Sequence, residues 1–427
     1  MPLNIPESSD PRIVIVGAGF AGFCLAKKLS GKGFQIVLLD RNNYHQFQPL
    51  YYQVAMSGLE PSSICFPLRR SFQNEKDFFV RVAEVSRIIP EQKQIESSMG
   101  VIRYDILVLA MGAKTNYYDN KNFEKNTIPL KSVAESLFLR NCILRDLETA
   151  VMSSAGTDIS PLLDIVIVGG GPTGVELAGA LAEMKLHILP KDYPDLDSSQ
   201  MNIHLVSSPD RLLANMSAPS SEKAKQYLIH LGVHLHLSQR VQKIDDGLVY
   251  LQNGEILKAN KVIWAAGVVA ATIPGIPSES ITIGGRIEVN QFCQVIGDTN
   301  IYAIGDIACM KTDTYPEGHP QVAPGALQQA TWLAAHLISK GSKAIGFKYF
   351  DKGNMATVGR HKAVVDFRKY HFSGFVAWIM WLFVHIYYLI GVKNKLIVML
   401  NWLWGYLFYD QALRLLITPK KETQNLD

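Results

Sequence analysis

Two stretches of the chain share one pattern: a short aliphatic run, a glycine-rich loop, and a mixed apolar segment at helical spacing. Ile13-Val14-Ile15-Val16 precedes Gly17-Ala18-Gly19-Phe20-Ala21-Gly22, and Ile165-Val166-Ile167-Val168 precedes Gly169-Gly170-Gly171-Pro172-Thr173-Gly174. Uninterrupted aliphatic runs of this length read as strands buried on both faces, as in a parallel sheet. Each glycine in the loop then has a use. The first makes a tight turn, the second lets backbone approach a pyrophosphate, and the third lets helix pack on strand, with the helix N-terminus facing the negative charge. Two bound dinucleotides are the expectation.

The downstream pattern repeats as well. After the first loop a helix through Ala26 and Leu29 leads to Gly33, and a strand from Gln35 to Leu39 ends in Asp40. That acid falls near the spacing at which a carboxylate takes ribose hydroxyls. In the second half the strand Ile203-His204-Leu205-Val206 ends in Ser207-Ser208, with Asp210 and Arg211 following. An apolar strand from Tyr104 to Ala113, carrying Ala110 and Gly112, has its counterpart in Lys261 to Gly267. A later run, Asn300 to Ile304, leads into Gly305-Asp306. The order predicts an α/β protein of two Rossmann-like dinucleotide-binding domains, one inserted in the other. The expected boundaries are 1–120 and 285–345 for the first domain, 121–284 for the insert, and 346–427 for a C-terminal membrane-association region.

From Phe372 the composition shifts. Gly374 to Gly391 is apolar and aromatic, with Trp378, Trp381, Tyr387 and Tyr388, interrupted only by His385. After Lys393-Asn394-Lys395, a second apolar run from Leu396 to Ile417 carries Trp402, Trp404, Tyr406 and Tyr409, broken by Asn401, Asp410, Gln411 and Arg414. As a helix the first run would be about 27 Å long, close to the ~30 Å bilayer core. A spanning hairpin would export Lys393 and Lys395, against the usual cytoplasmic excess of positive charge, whereas Trp and Tyr suit the headgroup level. The favoured reading is an anchor of two helices, residues 372–417, lying in the inner leaflet. A spanning hairpin, a pair of soluble core helices and a homodimer interface stay open.

Composition narrows the partners. Of the 427 residues 48% are hydrophobic and 19% charged, which leaves little room for long disorder. The net charge of +4 is spread out and argues against a nucleic-acid partner. Cys24, Cys65, Cys142, Cys293 and Cys309 form no C-x-x-C and no zinc spacing, as expected in a reducing compartment without a structural metal. His319, His361, His371 and His385 show no metal spacing either. Met1 to Asp10 lacks the apolar core of a secretory signal, so the catalytic body is expected in the cytoplasm, at the inner face of the cell membrane.

With these residues in view, the chain resembles the two-dinucleotide-binding-domain flavoproteins, and most closely the type II, non-proton-pumping NADH:quinone oxidoreductases. Beyond the nucleotide loops the resemblance is carried by Tyr44 to Ala55, Gly169 to Glu183, Trp264 to Gly267, Gly305-Asp306, Ala326-Leu327-Gln328-Gln329 and Gly359 to Val364, across most of residues 12–366. It implies a tight, non-covalent FAD held by Gly17, Gly19, Phe20, Ala21, Gly22, Asp40, Arg41, Gln53, Val82, Ala110, Gly112, Gly305 and Asp306. It implies NADH, or NADPH, at Gly169, Gly171, Pro172, Thr173, Gly174, Glu176, Ser207 and Gly267. Gln328 and Lys362 would face flavin and quinone. Glu176, read as lying in the first turn of its helix, could complement the helix dipole. The resemblance gives it a role in orienting the nicotinamide and tuning hydride transfer.

Two positions depart from that family. Ser207 stands where a glutamate is usual, which leaves the choice of NADH or NADPH open, with Arg211 a candidate phosphate partner. Pro324 stands where the first of two glutamines is usual, leaving Gln328 to meet a quinone carbonyl. Cys309 keeps a sulfide:quinone reductase as a rival reading. A ferredoxin-type reductase, and a redox-sensing flavoprotein with a decayed NADH site, are the others.

Overall fold

The protein is described by a computed structural model covering residues 4–154, 156–341, 345–408 and 413–417. Two compact units emerge. One comprises residues 1–46, 65–114 and 268–352, and the other residues 47–64, 115–267 and 353–427. The boundaries thus differ from those expected from sequence. The insert closes at 267, and the C-terminal region forms part of the second unit instead of standing apart. Residues 47–64 join that unit because their helix, Tyr51–Ala55, packs on the Val133–Met152 and Pro172–His187 helices.

The first unit is built on a five-stranded parallel sheet in the order Ile301–Ala303, Ile106–Leu109, Arg12–Val16, Gln35–Asp40, Phe78–Val82. Ile301–Ala303 pairs with Ile106–Leu109, so the chain does return to its first sheet after the long excursion. Ile13, Val14 and Ile15 are fully buried, as a central strand with elements on both faces requires. The Phe20–Leu29 helix packs on this sheet and on the Ala323–Ile338 helix.

A second sheet repeats the plan in the other unit. Its order is Ile128–Pro129, Lys261–Trp264, Ile165–Val168, Ile203–Ser207, His234–Leu237, again parallel. Each unit adds a three-stranded antiparallel sheet: Val85–Ile89, Gln94–Ser97 and Gly100–Arg103 in the first, Val241–Asp245, Leu248–Leu251 and Ile256–Lys258 in the second. In the second, Val206, Val249, Leu251 and Trp264 share one apolar core between the two sheets.

The C-terminal region adds the antiparallel strands Asn354–Thr357, Ala363–Phe367 and Tyr370–Gly374, then two helices. These helices, Phe375–Tyr388 and Val392–Phe408, have 14 and 17 residues, so they are about 21 and 25 Å long. Among the described residues no helix is long and apolar enough to cross a membrane. The basic Lys393-Asn394-Lys395 is not a hairpin loop but the opening turn of the second helix. Asn394 is buried there and its side-chain amide donates to the Ser62 carbonyl at 3.1 Å, so this turn is docked on the unit that carries it. Tyr409, Asp410 and Gln411 lie outside the described residues.

Candidate active site

The first glycine loop is tied to its sheet by backbone. Gly17 N donates to Leu39 O at 2.7 Å, and Ala110 N donates to Val16 O at 2.8 Å. Gly17 sits at φ +100°, and a Cβ there would run into the Ala110 carbonyl. A Cβ on Gly22 would strike the Gly17 carbonyl, whereas one on Gly19 would meet nothing within 4 Å. The open side of the loop thus leaves room for an anion beside the first turn formed by Phe20 and Ala21. Asp40 closes its strand opposite Val82, and Oδ2 accepts the Ala18 N–H at 2.7 Å while Oδ1 accepts that of Asn42 at 2.7 Å. Burial pushes the Asp40 pKa up, and these two donors oppose it. Arg41 is exposed just beyond. His45, buried between the Phe20 and Phe23 rings, holds the Ala18 carbonyl through Nδ1 at 2.9 Å.

Gly305-Asp306 is positioned by glutamines. Gly305 N donates to Gln329 Oε1 at 2.7 Å, and Gln321 Nε2 donates to the Asp306 carbonyl at 2.8 Å. Gln328, expected to face flavin and quinone, has both amide atoms on the Phe350 backbone: Nε2 donates to its carbonyl at 2.9 Å and Oε1 accepts its N–H at 3.0 Å. Helical periodicity carries a signal for this. Gln329 shares the buried stripe of Ala326, Ala330 and Leu333, and Gln328 does not.

The second loop reproduces the first. Gly169 N donates to Val206 O at 2.8 Å, Ala265 N donates to Val168 O at 2.7 Å, and Gly169 sits at φ +121° against the Ala265 carbonyl. Gly174 lies against the Gly169 carbonyl, and Gly171 faces open space. Pro172 and Thr173 start the helix, whose N-cap is Gly171, so the helix N-terminus opens beside that space. In this register Ser207 occupies the place of Asp40. It is 1% exposed and its hydroxyl has no hydrogen-bond partner. Gly267 ends the matching strand region, where the Tyr118 hydroxyl donates to the Ala266 carbonyl at 2.7 Å.

Glu176 is the fifth residue of the Pro172–His187 helix, in its second turn, so the dipole reading does not hold. It is 8% exposed, and Oε1 accepts the Thr357 N–H at 3.4 Å. Burial pushes its pKa up to about 8, with the Thr357 N–H and the Trp381 indole opposing the shift. Trp381 Nε1 comes close without a hydrogen bond of good geometry. A polar chain surrounds this carboxyl. The Tyr52 hydroxyl bonds Thr357 Oγ1 at 3.0 Å, Gln53 Nε2 donates to the Tyr52 oxygen at 3.0 Å, and Trp402 Nε1 donates to Gln53 Oε1 at 2.7 Å. His385 stacks on Trp381 with centroids 3.8 Å apart, and burial lowers its pKa to about 4. Of this group only Glu176 and Gln53 are visible as site residues in sequence. Tyr52, Thr357, Trp381 and Trp402 are brought in by tertiary packing.

Lys362 lies elsewhere in the unit, its ammonium 5.4 Å from the centre of the Tyr227 ring. Cys309 is buried, its thiol within 3.6 Å of the Glu317 carbonyl and its pKa pushed up by burial, which suits packing better than nucleophilic chemistry. All five cysteines are free, and among the described residues no cluster could hold a metal ion.

Twin parallel sheets, each with a glycine loop open to an anion, define a protein of two dinucleotide-binding folds. Comparison with known proteins places it more closely. Residues 11–330 match the pyridine nucleotide-disulphide oxidoreductase family and residues 352–409 match the NDH2 C-terminal domain. A type II NADH:quinone oxidoreductase of Mycobacterium tuberculosis is 34% identical, over 94% of this chain and 90% of the relative. The chain belongs to the type II NADH:quinone oxidoreductase family. NDH2 of Plasmodium falciparum, solved in complex with NADH, shares the fold at a TM-score of 0.87 and 21% identity, covering 96% of this chain and all of that one. The sulfide:quinone oxidoreductase of Aquifex aeolicus is more distant, at a TM-score of 0.69 and 17% identity over 94% of this chain and 96% of that one.

Proposed function

We propose that the protein transfers two electrons from NADH through a non-covalent FAD to a lipid quinone, pumping no protons. The observation that carries this reading is the repeated loop geometry, with Gly19 and Gly171 each open on the anion side. The residues fit FAD in the first unit: a carboxylate at Asp40, an open loop, and the Gly305-Asp306 turn braced by Gln329 and Gln321. Bound there, FAD supplies the redox chemistry, accepting a hydride equivalent and releasing two electrons.

The chain's own residues supply orientation and protons. The Gly169 to Gly174 loop and its helix N-terminus hold the pyrophosphate of NADH. Glu176 keeps a proton on its carboxyl through neutral pH, in a packed site that excludes water, and orients the nicotinamide. Quinone reduction consumes two protons, and a neutral buried carboxyl can release one. Gln328 acts by fixing the Phe350 backbone, and Lys362 by fixing its loop against Tyr227. Anaerobic bleaching of bound flavin by NADH, with colour restored by a quinone, tests the reading. A flavin that NADH leaves oxidised would overturn it. Glu176→Gln should slow flavin reduction or weaken NADH binding, and no change in either would remove its assigned role.

The two C-terminal helices supply the route to a lipid acceptor. Val376, Ile379, Phe383 and Tyr387 run along the exposed side of one, and Leu396, Leu400, Leu403 and Leu407 along the other. Apolar stripes of this length on a surface mark an interaction face. They lie in the inner leaflet on the cytoplasmic side, without crossing it. Membranes washed with high salt should retain the protein, and replacing Leu400, Leu403 and Leu407 with Ser should release it. Full release of the unaltered chain by salt would overturn the anchor.

A further inference from the structure

We infer that the second nucleotide site accepts a 2′-phosphate on the adenosine ribose, so that NADPH serves as well as NADH, and that Arg240 with Ser208 forms the phosphate subsite. This rests on the reading of the second loop as a nicotinamide nucleotide site. A carboxylate at the end of the second strand selects NADH, because it bonds the ribose hydroxyls and repels a phosphate. In the register of this sheet that place belongs to Ser207, whose hydroxyl is buried without a partner against Gly170. No negative charge stands there.

A cation stands one residue further on. Gln239 N donates to the Ser207 carbonyl at 3.1 Å and Ser238 N to the Pro209 carbonyl at 3.1 Å, which clamps residues 238–240 alongside 207–209. Arg240 is thereby delivered to the strand end, where its Nε donates to Ser208 Oγ at 3.0 Å. Ser208 and Arg240 are both exposed, so the pair is open to a ligand from solvent. This is a donor set for a phosphate dianion. Arg211 is the lesser contributor, since its Nη2 is spent on the Ala214 carbonyl of its own loop. Asp210 is the single acid in the loop. Arg240 was not visible as a candidate in sequence, because a 32-residue separation hides its pairing with Ser208.

The test uses the full-length, flavin-loaded protein and isothermal titration with two fragments, adenosine 5′-monophosphate and adenosine 2′,5′-bisphosphate. The bisphosphate should bind about tenfold more tightly, the gain of one well-placed charge-assisted contact. Arg240→Ala should erase that gain and leave monophosphate binding unchanged, with Arg240→Lys retaining part of it. Equal binding of the two fragments, or equal weakening of both by Arg240→Ala, would overturn the subsite while leaving the nucleotide site intact. Failure of both fragments to bind would overturn the nucleotide reading itself.

Discussion

The two glycine loops are superimposable in their backbone logic and different in the side chains that face them. Gly17 and Gly169 bond the same strand positions, Gly22 and Gly174 make the same close approach, and Gly19 and Gly171 leave the same opening. At the strand end, however, Asp40 accepts the Ala18 N–H, where Ser207 presents an unbonded hydroxyl. At the fifth helix position the first loop's helix carries Cys24 and the second's carries Glu176. The backbone is common because any dinucleotide offers a pyrophosphate. The proposed function accounts for the difference in side chains, since one loop would hold a resident cofactor and the other would exchange a substrate that reacts.

The strongest probe of that difference is pH. Glu176 is neutral in the fold up to about pH 8 but ionises near 4.5 in the unfolded chain. Its folded pKa is raised, so the associated stability is complete below pH 4.5 and is lost as pH climbs toward 8. At 1.36 kcal/mol per unit the loss reaches roughly 5 kcal/mol. Glu176→Gln removes this term. Denaturant melts at pH 5 and pH 8 should show the unaltered protein falling behind the variant at the higher pH, and parallel behaviour would mean the carboxyl ionises freely.

Next in size are the loop glycines. Gly22→Ala and Gly174→Ala each drive a Cβ into a carbonyl, at about 1–3 kcal/mol of overpacking strain. The first should yield protein without flavin absorbance, and the second should keep flavin but lose NADH bleaching. The same phenotype from both would erase the division of labour.

Asp40→Ser makes the first strand end like the second. Loss of a charge-assisted bond to Ala18 should weaken flavin retention by about tenfold, read by ultrafiltration of the released cofactor. The smallest effect is expected at Trp402→Phe, which removes the donor to Gln53 Oε1 and should cost about 1 kcal/mol in a melt. Its interest lies in whether the Glu176 pH dependence shifts with it, since Gln53 and Tyr52 link the two.

Local chemistry in the sequence was enough for the duplicated strand, loop and helix, for Asp40, and for the missing acid at Ser207, because each depends on residues within one βαβ unit. The return of Ile301–Ala303 to the first sheet was also legible, since a buried aliphatic strand needs a parallel partner. Tertiary structure decided what depends on side chains from distant segments. It put Tyr52, Thr357 and Trp381 around Glu176, gave Gln329 and not Gln328 to Gly305, brought Arg240 to Ser208, and docked Asn394 on Ser62. Periodicity records which face of an element is buried, but not which other element buries it.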